Sequence, residues 1–370
     1  MVDLKGQYQH IKPAIDASIQ SVIESSVFIK GPAVEYFQQQ LERYLHVRHV
    51  ILVGNGTDAL RASLMALELK PGDEIITSDF TFVATAEVAA SIGCTPVLVD
   101  VDPFTFCMNP ASVEKAITSH TKVIVPVHLF GQCSPIFQIQ EIATRHHLQI
   151  IEDACQAINA EYKYKDGHTA IAGSMGMAGC SSFFPSKNLG CYGDGGAIYT
   201  NNDEFANKVR SITNHGMSTR YHYERIGINS RLDAIQAAIL SVKLQHLDEY
   251  TTARQTAAQR YLTMLSDCNG ITLPQTANYS THVYHQFTIK VKNGKRDELK
   301  AELNSKGIPS MIYYPVPLHL QNPYKDTRYK KGDFKVTESL CDNVLSLPMH
   351  TEMDEEQQQF IADTIKKFFS

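Results

Sequence analysis

The sequence predicts an α/β protein with a large domain, whose mostly parallel sheet is covered by helices, and a small C-terminal α+β domain. Three observations support this prediction. Segments dense in β-branched residues alternate with helix-like segments between residues 49 and 153. The strand segments are apolar throughout, which is typical of strands buried on both faces of a parallel sheet. The 370 residues are too many for one small core.

The predicted elements of the large domain follow one another in a regular order. Residues 8–25 carry Ile11, Ile15, Ile19 and Val22 at the spacing of one apolar helix face. The strand candidates are "HVILVG", "DEIITS", "TPVLVDVD", "TKVIVPVHL", "LQIIEDA" and, further on, "GAIYT". The helix-like stretches between them span residues 58–67, 83–91, 110–117 and 136–146.

The second half of the chain predicts a different organisation. A long helix over residues 232–265 has Leu232, Ile235 and Ile239 on one side. It is followed by "HVYHQFTIKV", a helix near residues 296–306, the segment "PSMIYYPVPLH" and a terminal helix from about Glu355. We therefore predict a large domain over residues 1–250, including the N-terminal helical segment, and a small domain over residues 251–370.

Composition and charge exclude several classes of protein. A net charge of −5 and a pI of about 6.3 argue against a nucleic-acid binder, which needs a basic face. Apolar runs are too short to span a membrane, and the first residues resemble neither a signal nor a transit peptide. The eight cysteines form no C-x-x-C pair, so we expect reduced thiols, a cytoplasmic location and no metal site.

The stretch "ILVGNGTDAL" at residues 51–60 predicts a strand, a glycine-containing turn and a helix. Glycines let the backbone turn tightly, and free N–H groups in the first helical turn then face an anion. Gly54, Gly56 and Ala59 also satisfy the dinucleotide pattern G-x-G-x-x-A, and the next strand ends in an acid, Asp79. The segment predicts a phosphate loop, but by itself it leaves open whether a pyrophosphate or a single phosphate binds.

Two further residues favour a coenzyme with a single phosphate. Asp153 lies at the carboxyl end of a buried strand, where ligands bind in open α/β sheets. Lys187, in "SSFFPSKNLGCYGDGGAIYTNN", stands between two phenylalanines and a glycine-rich loop that can bend around a bulky ligand. Pyridoxal phosphate requires a lysine for its aldehyde, an acid for its pyridine nitrogen and amides for its phosphate. We therefore interpret Lys187 and Asp153 as catalytic residues.

The motifs of this chain resemble those of one known family over essentially its whole length. They are "GNGTDAL", "FTFVATAEVAA", "PVHLFGQ", "IIEDACQA", "SSFFPSKNLGCYGDGGAIYTNN", "HGM", "YHYERIGINSRLDAIQAAIL", "YYPVPLHLQ" and "LSLPMH". This set resembles the DegT/DnrJ/EryC1/StrS family of pyridoxal-phosphate-dependent nucleotide-sugar aminotransferases, which have fold type I. The resemblance implies a homodimer with active sites at the subunit interface. It also implies transfer of an amino group from L-glutamate to a nucleotide-linked keto-sugar.

The resemblance also implies roles for individual residues. Lys187 matches the Schiff-base lysine, Asp153 the partner of the pyridine nitrogen and Gln156 the side chain beside the phenolic oxygen. The remaining coenzyme positions are Phe82 on the ring face and Gly56, Thr57, Asp58, Ser182 and Asn229 at the phosphate, with Asn229 reaching across the dimer. The positions implied to approach the sugar are His215, Arg231, Tyr313 and Tyr314.

The chain departs from the family pattern at two places near these residues. The usual "EDAAQAHGA" is "EDACQAINA" here, so Cys155 and Ile158 replace an alanine and a histidine. We interpret Cys155 as a small apolar side chain and not as a nucleophile. Tyr313 stands where relatives often have histidine, which weakens any transfer of the exact substrate. Because Lys187 is retained, we expect transamination and not the dehydration of relatives with histidine at that position.

The motifs most resemble those of family members that aminate a C3 ketone on a UDP- or dTDP-linked sugar. We therefore expect synthesis of amino sugars for lipopolysaccharide, other surface polysaccharides or glycoprotein glycans, with the C4 ketone as the alternative. A Rossmann NAD-dependent oxidoreductase would leave the loop of Lys187 without a role. A non-catalytic, nucleotide-sugar-binding regulator would not need Lys187, Asp153 and Gln156 together.

Overall fold

The computed structural model describes residues 1–325 and 327–370 as alternating strands and helices. The strands are β1 His49–Val53, β2 Glu74–Ser78, β3 Thr95–Val99, β4 Thr121–Val125, β5 Gln149–Asp153, β6 Glu161–Lys163, β7 Thr169–Ile171, β8 Ala178–Ser182, β9 Gly196–Thr200, β10 Met217–Thr219, β11 His222–Tyr223, β12 Ile271–Thr272, β13 Phe287–Val291 and β14 Val344–Leu347. The helices are α1 Leu4–Ser25, α2 Pro32–Leu45, α3 Gly56–Ala66, α4 Ala84–Ser91, α5 Pro110–Ala116, α6 Ile136–His146, α7 Asp203–Ile212, α8 Ala234–Leu244, α9 Leu247–Met264, α10 Arg296–Ser305, α11 Lys335–Asn343 and α12 Glu355–Phe369.

A seven-stranded sheet in the order β1-β9-β8-β5-β4-β2-β3 forms the centre of the molecule. The strands β8, β5, β4, β2 and β3 are parallel, whereas β9 runs antiparallel to both of its neighbours. The predicted mostly parallel sheet is therefore confirmed. Its parallel strands bring the chain segments after β2, β5 and β8 to the same edge, which is where this topology binds ligands.

Helices cover both faces of this sheet, as its apolar strands predict. Val53, Val123 and Ile151 pack in one buried cluster with residues of α3, whereas Ile76 and Ile124 pack with residues of α6. Burial on both faces explains why these strands are apolar throughout.

The sequence analysis did not predict α2, α7, β6, β7, β10 or β11, and two further features of this part of the chain differ from the prediction. The strand β8 was not predicted, because "AGCSS" contains none of the β-branched or aromatic residues that signal a strand. The single long helix predicted over residues 232–265 is wrong, since α8 ends before His246 and α9 begins at Leu247. Asp248 and Glu249 then lie in the first turn of α9, where the helix dipole favours acidic side chains.

The C-terminal part forms a second, smaller layer. The strands β12, β13 and β14 form an antiparallel sheet, and Phe287 and Leu347 pack in one buried cluster with Tyr261, Leu299 and Ile365 from α9, α10 and α12. The predicted domain boundary at residue 250 falls inside α9 and remains a prediction. In the part of the chain that the structure describes, no helix has the length and apolarity of a membrane span.

Candidate active site

The turn between β1 and α3 forms a potential anion site. The side chain of Asn55 caps α3 by accepting a hydrogen bond from the amide of Asp58 at 2.8 Å. The amides of Gly56 and Thr57 have no hydrogen-bond partner among the described residues. The carboxylate of Asp58 is already bound, because it accepts a 2.6 Å hydrogen bond from the hydroxyl of Ser230. The donors available to an anion are therefore backbone amides at the positive end of the helix dipole.

Close packing of glycines brings this turn to the ends of β5 and β8. A Cβ on Gly56 would lie 2.8 Å from Cβ of Ser182 and 2.9 Å from Sγ of Cys155. A Cβ on Gly196 would lie 2.5 Å from the carbonyl carbon of Asn55. Because no side chain fits at either position, the two glycine-containing segments predicted separately from the sequence form one cradle.

Asp153 is the last residue of β5, and its side chain faces the same edge of the sheet. The residue is 7% exposed, and its carboxylate accepts hydrogen bonds from Oγ1 of Thr85 at 2.9 Å and from the amide of Cys155 at 3.1 Å. The sequence prediction missed Thr85. It lies three positions after Phe82 in "FTFVAT", so that Phe82 precedes α4 by two residues and Thr85 lies in its first turn.

Lys187 lies in the loop between β8 and β9 and is half-buried. No hydrogen bond or ion pair of its amine is found among residues 1–325 and 327–370. Burial lowers the pKa of Lys187, and the negative charges that Cys155 and Asp153 can carry oppose this shift. A lowered pKa increases the neutral fraction of the amine, which is its nucleophilic form. The structure thus brings Lys187, Asp153 and the cradle to one edge of the sheet.

Contacts from two other parts of the chain hold this loop. Lys243 of α8 donates a 2.7 Å hydrogen bond from Nζ to the carbonyl of Gly190. The side-chain amide of Asn188 donates to the carbonyl of Val283 at 2.9 Å. Neither contact was predicted, since each joins residues far apart in the sequence.

Gln156, Phe82 and Tyr314 form a polar and aromatic group beside Asp153. Gln156 accepts a hydrogen bond from the amide of Phe130 at 2.8 Å and donates one from Nε2 to the hydroxyl of Tyr314 at 3.1 Å. The ring of Phe82 is 54% exposed and its centroid lies 6.3 Å from that of Tyr314. Tyr314, predicted as a sugar-contacting residue, is thus bonded directly to a predicted coenzyme residue. Tyr313 lies beside it and is half-buried.

The other predicted site residues lie on a separate segment that carries the β10–β11 hairpin. His215 and Asn229 are exposed, Arg231 is half-buried, and no hydrogen bond from their side chains to Lys187 or Asp153 is found within the described residues. Ser230 joins this segment to the anion site, because its hydroxyl accepts a hydrogen bond from the amide of Gly54 at 2.9 Å.

Asp79 cannot serve as the free acid that a dinucleotide site requires. It is buried, and its carboxylate is bonded to His319. In the described part of the chain, no group of three or more His, Cys, Asp or Glu residues is arranged to hold a metal ion.

The sheet topology and the lysine beside a buried acid define an enzyme of aminotransferase fold type I. The family model for the DegT/DnrJ/EryC1/StrS aminotransferases matches residues 9–366, and the chain belongs to this family. This membership overturns the Rossmann oxidoreductase alternative.

Relatives and solved structures match this chain over nearly its full length. A Geobacillus stearothermophilus "pleiotropic regulatory protein" is 46% identical (100% of this chain, 98% of the relative). A UDP-2-acetamido-2-deoxy-3-oxo-D-glucuronate aminotransferase of Pseudomonas aeruginosa is 43% identical (95% of each chain). A 3-oxo-glucose-6-phosphate:glutamate aminotransferase of Bacillus subtilis is 36% identical (94% and 78%).

Among solved structures, a DegT/DnrJ/EryC1/StrS aminotransferase from Brucella abortus has a TM-score of 0.95 at 42% identity, covering 100% of this chain and 99% of that one. The protein NtdA of Bacillus subtilis, solved with the cofactor PMP (pyridoxamine phosphate), has a TM-score of 0.88 at 35% identity, covering 96% and 82%.

Proposed function

We propose that this protein is a pyridoxal-phosphate-dependent aminotransferase that moves an amino group from L-glutamate to the C3 ketone of a UDP- or dTDP-linked sugar. The main support for the proposal is the set of surroundings of the Lys187 amine. The amine is half-buried, it has no hydrogen-bond or ion-pair partner among the described residues, and it interacts electrostatically with Asp153 beside a glycine cradle. A surface lysine with a structural role would have none of these surroundings.

The residues at this edge fit each polar end of pyridoxal phosphate. The unpaired amides of Gly56 and Thr57, with the nearby hydroxyl of Ser182, suit a phosphate. Asp153 suits the pyridine nitrogen and Lys187 suits the aldehyde. The exposed ring of Phe82 offers a flat apolar face for the ring of the coenzyme.

Pyridoxal phosphate supplies an aldehyde that carries the amino group and a ring that accepts electrons from the substrate carbon. In this site, Asp153 would hold a proton on the ring nitrogen of the bound coenzyme, and Thr85 orients the carboxylate through its 2.9 Å hydrogen bond. With the coenzyme bound, the amine of Lys187 would accept a proton at Nζ from the substrate carbon and deliver it to the coenzyme carbon that takes up the amino group. Because burial lowers its pKa, a larger fraction of this amine is neutral and able to do so.

The names of relatives support the position of amination. The Pseudomonas relative is named for a UDP-linked 3-oxo sugar, and the Bacillus relative for a 3-oxo sugar phosphate with glutamate as donor. The Geobacillus relative is named as a regulatory protein. The presence of Lys187, Asp153 and Gln156 together favours catalysis for this chain, since a regulator has no need of all three.

We also propose that the enzyme is a homodimer with shared sites in the cytoplasm. Asn229 and His215 are exposed on a segment that also exposes Tyr221 (70%) and Ile226 (86%), as expected of a surface covered by a second subunit. All eight cysteines, which lie within the described residues, are unpaired. Free thiols suit a reducing compartment.

A half-reaction with glutamate tests the chemistry. The purified protein should be yellow, and glutamate without a sugar should shift the absorbance as the amino group moves to the coenzyme. Lys187→Ala should abolish turnover, whereas Lys367→Ala, at an exposed position of α12, should retain it. After borohydride reduction, peptide mapping should find the coenzyme attached to Lys187. Normal turnover of Lys187→Ala would contradict the proposal.

A substrate panel tests the specificity. UDP- and dTDP-linked 3-keto and 4-keto sugars, together with 3-oxo-glucose-6-phosphate, should each be incubated with glutamate and analysed by mass spectrometry. We expect a mass change consistent with amination of a nucleotide-linked 3-keto sugar. Amination of only the 4-keto sugars, or of only the sugar phosphate, would overturn the proposed substrate class.

A further inference from the structure

Asp79 anchors a distant part of the chain to the end of β2. The residue directly follows β2 and is 1% exposed. Its carboxylate accepts a hydrogen bond from the amide of His319 at 2.7 Å, and its second oxygen lies 2.6 Å from Nδ1 of the same histidine. The carbonyl of Asp79 also accepts from the amide of Leu318 at 3.3 Å. The backbone and side chain of Asp79 thus bind the backbone and ring of the same distant residue pair, Leu318 and His319.

The other side of the histidine is packed against Phe334 and Glu338. Its ring lies edge-on to Phe334 at a centroid distance of 4.8 Å, and its buried Nε2 lies 3.3 Å from Oε1 of Glu338 without forming a hydrogen bond among the described residues. Burial raises the pKa of Asp79 to about 6, and the interaction with His319 opposes that rise. The histidine is thus bonded to the end of β2 and packed against the start of α11.

The anchored segment carries Tyr314 into the active site. The hydroxyl of Tyr314 accepts from Gln156 at 3.1 Å, and its ring centroid lies 6.1 Å from that of Phe80, the residue after Asp79. The described residues between α10 and α11 form only short 3₁₀ turns and an isolated bridge from Met311 to Ser346. The position of Tyr314 therefore depends on side-chain contacts more than on a backbone hydrogen-bond ladder.

We infer that Asp79 and His319 are positioning residues that hold the segment of residues 313–319 so that Tyr314 stays bonded to Gln156 at the site where the keto-sugar and coenzyme bind. This inference rests on the proposed aminotransferase function for its kinetic consequence. The anchoring itself is a property of the folded chain and can be measured without turnover.

The kinetic consequence follows from how the two residues act. They do not touch the reacting atoms, so we expect them to influence the reaction through the position of Tyr314. Loss of the anchor should loosen binding of the sugar more than it slows the chemical step. It should have no further effect once the hydroxyl of Tyr314 has been removed, because residues that act through one contact are not additive.

The experiment compares Asp79→Asn, Tyr314→Phe and the double variant in the full-length protein as purified. Hydrogen exchange of the peptide covering residues 313–319 should be faster by about 10-fold or more in Asp79→Asn. The KM for the keto-sugar should rise by about 10-fold with a smaller change in kcat, and the double variant should match Tyr314→Phe. His319→Gln removes the other partner of the same contact. It replaces Asp79→Asn in these measurements if Asp79→Asn does not fold.

Ile361→Val is the control, because Ile361 lies buried in α12 and in a different cluster from Tyr314. It should lower stability without changing exchange in residues 313–319 or the KM. Unchanged exchange in Asp79→Asn, additive effects in the double variant, or the same KM change in the control would overturn the inference. If no transamination is found, the exchange measurement still decides whether the anchor exists, and the proposed function fails separately.

Discussion

Two lysines lie in and beneath the loop between β8 and β9, and their surroundings give them different tasks. Lys187 has an amine without a bonded partner among the described residues, which suits a reactive group. Lys243 is 1% exposed, donates to the carbonyl of Gly190 and lies 4.6 Å from the ring centroid of Tyr192. Its role is to support the loop, because its hydrogen bond is directed at the backbone.

The pKa of Lys243 links this support to pH. Burial lowers that pKa from 10.5 to about 8. Between pH 8 and 10.5 the unfolded chain holds a proton on this amine that the folded protein has released. Because the unfolded state binds more protons in this window, the contribution of Lys243 to the free energy of unfolding rises with pH.

We therefore predict that the wild-type protein gains stability relative to Lys243→Met as pH rises from 8 to 10. The difference in the free energy of unfolding should grow by up to about 1.4 kcal/mol per pH unit. Urea unfolding at several pH values measures it, and Lys367→Met, at an exposed position, should show no such trend against the wild type. Parallel pH curves for wild type and Lys243→Met would show that the lysine is not desolvated as the structure indicates.

At the scale of elements, the site depends on how closely α3 approaches β8. The first turn of α3 supplies amides to the anion site, and Gly56 lies where a Cβ would press on Ser182 and Cys155. Gly54 lies two positions earlier. A Cβ on Gly54 would lie 3.4 Å from its nearest atom, Oγ of Ser230, which is an ordinary van der Waals contact. The same turn therefore contains one glycine that packing requires and one that it does not.

We predict that Gly56→Ala weakens binding of pyridoxal phosphate, whereas Gly54→Ala does not. Overpacking at such a contact costs about 1–3 kcal/mol. If this cost distorts the cradle that binds the phosphate, the dissociation constant should rise roughly 5- to 150-fold. Spectroscopic titration of the resolved protein with pyridoxal phosphate measures the dissociation constant. Equal affinities for the two variants would mean that the cradle does not hold the phosphate.

At the scale of the whole molecule, the predicted coenzyme residues divide into two groups. Lys187, Asp153 and Gly56 meet within one chain, whereas Asn229 is exposed on the segment that carries the β10–β11 hairpin. In a twofold dimer each site could take Lys187 from one subunit and Asn229 from the other. The exposure of Asn229 leaves its side chain available to the site of a second subunit.

This arrangement predicts complementation between two inactive variants. Lys187→Ala and Asn229→Asp, mixed after mild dissociation and reassembly, should form hybrids with one intact site. Random pairing at equal amounts should restore about 25% of wild-type activity, since half of the dimers are hybrids with one of two sites intact. Mixing without dissociation is the control. No recovery in hybrids isolated with two different tags would contradict a site shared in this way.

Local sequence patterns determined most of the large sheet and the chemistry of the central residues. The β-branched runs predicted β1 to β5 and β9, because side-chain shape and burial on both faces act over a few residues. Lys187 and Asp153 could be identified because a lysine in a glycine loop and an acid at a strand end have recognisable neighbours in sequence. Family membership then confirmed the fold and the class of enzyme.

Only the tertiary structure decided which residues support that chemistry. Thr85 binds Asp153 from 68 positions away, Tyr314 binds Gln156 across 158, and His319 binds Asp79 across 240. The antiparallel direction of β9 and the position of β8 beside β5 also depend on which strands meet in the folded sheet. Such contacts have no local signature, because they form between surfaces that come together only when the whole chain packs.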